Sequence, residues 1–166
     1  MENNTNGGEK YYTPNISEFH VGFEYEEYID GRNKFIKKTI ESTDLIVLFG
    51  DETIFDCIIE NLSLSKIRVK YLDKEDIESL GFVCTRSNSD GFEFQNIIDD
   101  YSFYDIDFYP ENMSVLVEYY YQREITADVT GNKNCKTLFY GNIKNKSELK
   151  RLLVQLGVTE ASQPSK

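Results

Sequence analysis

The chain is 166 residues long, 40% hydrophobic and 28% charged, an ordinary globular balance that excludes wholesale disorder and a fibrous architecture and suits a single domain. Its formal net charge of -11 speaks against nucleic acid as a partner, because duplex binding relies on clustered Lys and Arg. No apolar run approaches the ~20 residues that span a bilayer, and the polar start MENNTNGGEK lacks the greasy centre of a signal peptide, so no membrane role and a cytoplasmic location are expected.

In chain order, residues 1–10 and 159–166 read as loose tails around one α+β domain over 11–158. From Ile16 an alternation sets Phe19, Val21, Phe23 and Tyr25 against Glu18, His20, Gly22 and Glu24, which predicts a strand. DGRN at 30–33 predicts a turn and KFIKKTI its hairpin partner. Over 52–62, Ile54, Phe55, Ile58, Ile59 and Leu62 fall at helical spacing. KIRVKYL then alternates as a strand and runs into four acids, Asp73, Glu75, Asp76 and Glu78. Beyond Gly81 the aromatic and β-branched stretches FVCTR, GFEFQ, YSFYDIDFY, MSVLVEYYYQREITADV and KTLFYGNI, separated by SNSDG, PEN and TGNKN, predict an antiparallel meander. KNKSELKRLLVQLGV closes the chain as an amphipathic helix capped by Asn145, stopped by Gly157 and striped with Leu149, Leu152, Leu153 and Leu156. The stripe needs a cover, so the meander sheet is expected to pack against two or three short helices.

Few of these residues carry a chemical signature. The acids at 73–78 fail the calcium-loop pattern, since the sixth residue from Asp73 is Glu78 and the twelfth is Cys84; they suit a helix start instead, with Asp73 as cap. Cys57, Cys84 and Cys135 are odd in number and widely spaced, which predicts free, part-buried thiols and neither a disulfide framework nor a zinc site. No metal, cofactor or catalytic motif is present. Asp105 and Asp107, two apart on a strand, share a face that is expected to be solvated; such a pair can also share a proton or hold a hard cation. His20, the only histidine, is a candidate general base without a visible nucleophile.

The unusual quantity is aromatic content, with 12 Tyr and 11 Phe and no Trp. In VLVEYYYQ, Val115, Val117, Tyr119 and Tyr121 face one way while Leu116, Glu118 and Tyr120 face the other. Exposed Tyr suits protein interfaces, because it offers a rigid area with a polar tip. Tyr101, Asp105, Asp107, Tyr119, Tyr120 and Tyr121 are therefore the candidate binding residues, with another protein as the expected partner and the oligomeric state left open. The other readings are a small-ligand binder or hydrolase using His20 with Asp105 and Asp107, and a virion or assembly component.

Three segments, YYTPNISEFHVGFEYE, IRVKYLDKEDIESLGF and IKNKSELKRLLVQLGV, resemble a set of short uncharacterised proteins encoded by bacteriophages, prophages and mobile elements of gut-type bacteria. The resemblance implies a small accessory phage or mobile-element protein acting in the bacterial cytoplasm or packaged with a virion, and it brings no site residues with it.

Overall fold

The structure, a computed structural model, describes residues 10–42, 54–121 and 134–158, with side chains of the second stretch from Cys57 onward. The expected tails apart from Lys10, the predicted helix start at Glu52 and Thr53, the strand continuation QREITADV and most of the TGNKN turn lie outside the described residues. The architecture is α+β, with two antiparallel sheets and three α-helices among the described residues. Chain length suggests one core, but the buried residues form two separate clusters and the chain divides into two compact units, 1–71 and 72–166. A four-stranded sheet and a five-stranded sheet each need an apolar face covered, and each does so within its own stretch of sequence.

In the first unit, strands β1 (Tyr11–Tyr12), β2 (Glu24–Ile29), β3 (Lys34–Thr39) and β4 (Ile67–Lys70) lie in the order β1-β4-β2-β3. Phe19, Phe23, Tyr25, Ile40, Ile67 and Val69 are buried together with Ile58 of helix α1 (Ile54–Ser63). The β2–β3 hairpin turns at Asp30–Arg32, and Asn33 follows in the left-handed region, as DGRN suggests. The alternation from Ile16, however, is no strand before Glu24. Asn15 caps a 3-10 turn at Ile16–Glu18, its side chain accepting from Ser17 N while Glu18 accepts from Asn15 N, so local hydrogen bonds win over extended structure. Gly22 then adopts φ +85, which breaks the period; Phe19 and Phe23 still reach the core, and Val21 is 49% exposed. Arg68 ties three strands on this sheet: it binds Glu26 (Nη2–Oε2 2.7 Å), and its guanidinium stacks over Tyr11 and Phe35.

In the second unit, β5 (Val83–Ser87), β6 (Phe92–Asp99), β7 (Ser102–Tyr109), β8 (Ser114–Tyr121) and β9 (Asn134–Asn142) form a meander in sequence order. Phe94, Ile106, Phe108, Val115 and Val117 point to one face and pack with Ile77 of α2 (Lys74–Glu78) and with Leu149 and Leu153 of α3 (Lys146–Gln155). The acids at 73–78 do start a helix: Asp73 Oδ1 accepts from Asp76 N at 3.0 Å, and Gly81 ends the segment at φ +92. Asn145, 2% exposed, caps α3 by accepting from Glu148 N at 3.0 Å. Replacing this buried cap with Ala (Asn145→Ala) is expected to destabilise the second unit by about 1–2 kcal/mol in a denaturant titration, whereas Asn145→Asp should keep most of the stability.

Candidate functional site

Helices cover one face of the five-stranded sheet, and the alternation that sends Ile106 and Phe108 into the core turns the residues between them outwards. Pairing register then assembles the outer face in three rows. Glu93 pairs with Asp107, Asp107 with Leu116, and Leu116 with Tyr140. In the second row Gln95, Asp105, Glu118 and Thr137 run across the strands; in the third, Ile97, Phe103, Tyr120 and Cys135. Four carboxylates from three strands thus stand in two adjacent rows, with an aromatic row beside them. The Phe103 and Tyr120 rings are stacked at 4.8 Å and 6°.

Each acid has a distinct surrounding. Glu93 is paired with Arg86 of β5, Nη1–Oε1 2.8 Å. Glu118 accepts from the Tyr120 hydroxyl at 3.0 Å and from Thr137 Oγ1 at 2.9 Å. Asp105 is pushed up to about 6, first by burial and then by the charges of Asp107, Glu93 and Glu118, against the opposing hydrogen bond from Gln95. Burial likewise raises Asp107, helped by Glu93 and Glu118 and opposed by Arg86. Like charges opposite one another on a sheet repel, and here nothing on the face balances them except Arg86 among the described residues.

At the β5–β6 end the face deepens into a cavity of about 240 Å³, walled by Arg86, Asp90, Glu93, Asp107 and Tyr109. Gly91 makes this corner possible, because a Cβ there would lie 2.4 Å from the Phe108 carbonyl oxygen. At the opposite end, around the β6–β7 turn, Ile97, Ile98 and Tyr101 are 72%, 51% and 60% exposed. Asp99 receives the Tyr101 N–H and the Ser102 hydroxyl, both at 2.8 Å, and these bonds hold its carboxyl low.

The structure gathers Asp105, Asp107 and Tyr120 on this outer face and sets Tyr101 at its end. Tyr119 and Tyr121 go to the other side of the sheet, stacked on each other at 5.6 Å, with Tyr104 against Tyr119 at 5.2 Å. His20 belongs to the first unit and the two aspartates to the second. It sits in the loop before β2 rather than on a strand; its Nδ1 lies 2.8 Å from the Val21 carbonyl, its ring is edge-on to Phe23, and its Nε2 is buried without a hydrogen-bond partner. Glu93, Gln95, Glu118, Arg86 and Ile97 are not among the residues picked from the sequence, and register brings them beside Asp105 and Asp107; the Glu93/Gln95 alternation against Phe92 and Phe94 was the available signal.

What the face can do chemically is bounded by its groups. All three thiols are free, and Cys57 and Cys135 are exposed rather than part-buried. Partial desolvation of its sulfur, followed by its bond with Glu118, pushes the Cys135 thiol up against the opposing bond with Tyr120, and the Tyr120 phenol is raised by its bond with Cys135, by burial and by Glu118. Both therefore stay protonated at neutral pH and are poor nucleophiles. Among the described residues no group of three or more His, Cys, Asp or Glu is placed to hold a metal ion, and no helix is long and apolar enough to cross a membrane. Comparison with protein-family models, curated proteins and solved structures finds no match. The face thus presents carboxylates held above their usual range, phenols and, at one end, exposed aliphatic groups.

Proposed function

We propose that this is a small acidic accessory protein of a phage or mobile element, acting in the bacterial cytoplasm, which binds another protein through the outer face of its five-stranded sheet. The observation that carries the reading is the exposed apolar group Ile97, Ile98 and Tyr101 at one end of a face otherwise built of acids and aromatic rings. Apolar anchors beside a polar, charged surround are the composition that protein interfaces favour. The acids supply steering and partner discrimination, and the anchors supply buried area.

A photo-crosslinking residue in place of Ile97, irradiated in bacterial lysate, tests it. One defined protein adduct is expected, and it should disappear when Tyr101→Lys and Phe103→Glu are combined in the same chain. The proposal fails when no adduct forms, or when the adducts persist unchanged in that double variant.

A further inference from the structure

The cavity at the β5–β6 end has a composition that names its occupant more closely than the face as a whole. Three carboxylates, Asp90, Glu93 and Asp107, line it against one guanidinium, Arg86, and that guanidinium is already paired with Glu93. Asp107 is part-buried, and among the described residues no group donates a hydrogen bond to its carboxylate. Its oxygens are not sealed from solvent, since His20 Nε2 is the one buried side-chain polar atom without a partner among the described residues, so they are open to a donor that enters the cavity. Tyr109 contributes an aromatic wall directly beside it. A planar cation held between a carboxylate and an aromatic ring satisfies both at once, through charge-assisted hydrogen bonds on one side and ring contact on the other. The volume of about 240 Å³ suits one long side chain rather than a cofactor.

We propose that this cavity receives a single arginine side chain of the partner protein, its guanidinium bonded to the Asp107 carboxylate and lying against the Tyr109 ring. The inference rests on the docking reading above and adds the chemistry of the partner. The charged groups around Asp107 are Arg86 on β5, Asp90 in the β5–β6 turn, Glu93 on β6, Asp105 and Tyr109 on β7, and Glu118 on β8. Asp107, raised by burial and by Glu93 and Glu118, binds a proton more readily when the cavity is empty, and an arriving guanidinium displaces that proton. Binding should therefore strengthen as pH rises.

The test uses the full chain and two synthetic peptides, Ac-Tyr-Thr-Arg-Thr-Tyr-amide and the same peptide with citrulline replacing arginine, titrated by NMR at pH 5.0 and pH 7.5. Citrulline keeps the shape and removes the charge. The arginine peptide is expected to bind about tenfold tighter than the citrulline peptide at pH 7.5, with a smaller margin at pH 5.0. In Asp107→Asn that preference should vanish, while Asp107→Glu retains part of it; an unchanged far-UV spectrum shows that both variants are folded. Equal binding of the two peptides, or an arginine preference that survives in Asp107→Asn, overturns the proposal. The crosslinking experiment separates the two readings: an adduct that is lost in the Tyr101→Lys/Phe103→Glu variant but maps to a partner segment without arginine refutes the arginine pocket and leaves the docking face standing, whereas absence of any adduct removes both.

Discussion

Phe94→Ala is expected to cost the second unit about 3–5 kcal/mol and to lower its melting midpoint by more than ~12 °C. Phe94 is fully buried on an interior strand of the sheet, paired between Cys84 and Ile106, and it packs in the cluster with Leu72, Ile77, Phe108 and Leu149. Truncation removes a ring from a site walled on one side by backbone and on the other by helices, which limits collapse around the void. The neighbouring Ile97 on the same strand is 72% exposed, so Ile97→Ala should change stability by no more than ~0.5 kcal/mol. Chemical denaturation followed by far-UV circular dichroism measures both. Comparable losses for the two substitutions would mean that the sheet does not bury the face assigned to it. The functional consequence follows from the alternation: β6 presents Glu93 and Gln95 on the side opposite Phe94, so a core that loosens here also dissolves the rows of the outer face.

Much of this arrangement is legible in the sequence. The meander, the closing helix with its Asn145 cap and Gly157 stop, and the short helix begun by Asp73 follow from period, turn residues and capping spacing, all of which are local. The strand expected from Ile16 shows the limit of period alone, because Asn15, Glu18 and Gly22 offer the backbone a tighter local solution than an extended ladder. The division into two units was not legible: nothing in residues 66 to 74 differs in composition from a strand running into a capped helix, and separate burial becomes visible only when the contacts are known. The candidate face was half legible. Alternation places Asp105, Asp107 and Tyr120 on their sides of their own strands, but which residues stand beside them depends on register, and register is a long-range property. Glu93 and Glu118, which raise both aspartates, are distant in sequence from one another and carry no motif.

Asp105→Asn is expected to stabilise the second unit at pH 7.5 by about 1–2 kcal/mol, with the gain falling away between about pH 6 and pH 4. The folded sheet raises Asp105 from the ordinary 3.8 to about 6, so folding favours the neutral carboxyl. Stability from that neutral form is fully present below the unfolded value and is lost as pH rises through the folded one. The full shift corresponds to ~3 kcal/mol, and partial solvation of the carboxylate reduces what a measurement should recover. Asparagine keeps an oxygen to accept from Gln95 and removes the charge that Asp107, Glu93 and Glu118 oppose, which also eases the repulsion on Asp107. Denaturant titrations of both proteins across pH 4 to 8 measure the difference. A variant that is less stable than the parent at pH 7.5, or a gain independent of pH, would show that the charges on this face do not oppose folding. A gain with the expected pH dependence would give the acids a physical reason: they cost stability in the free protein, and a cationic partner laid across the face would recover it.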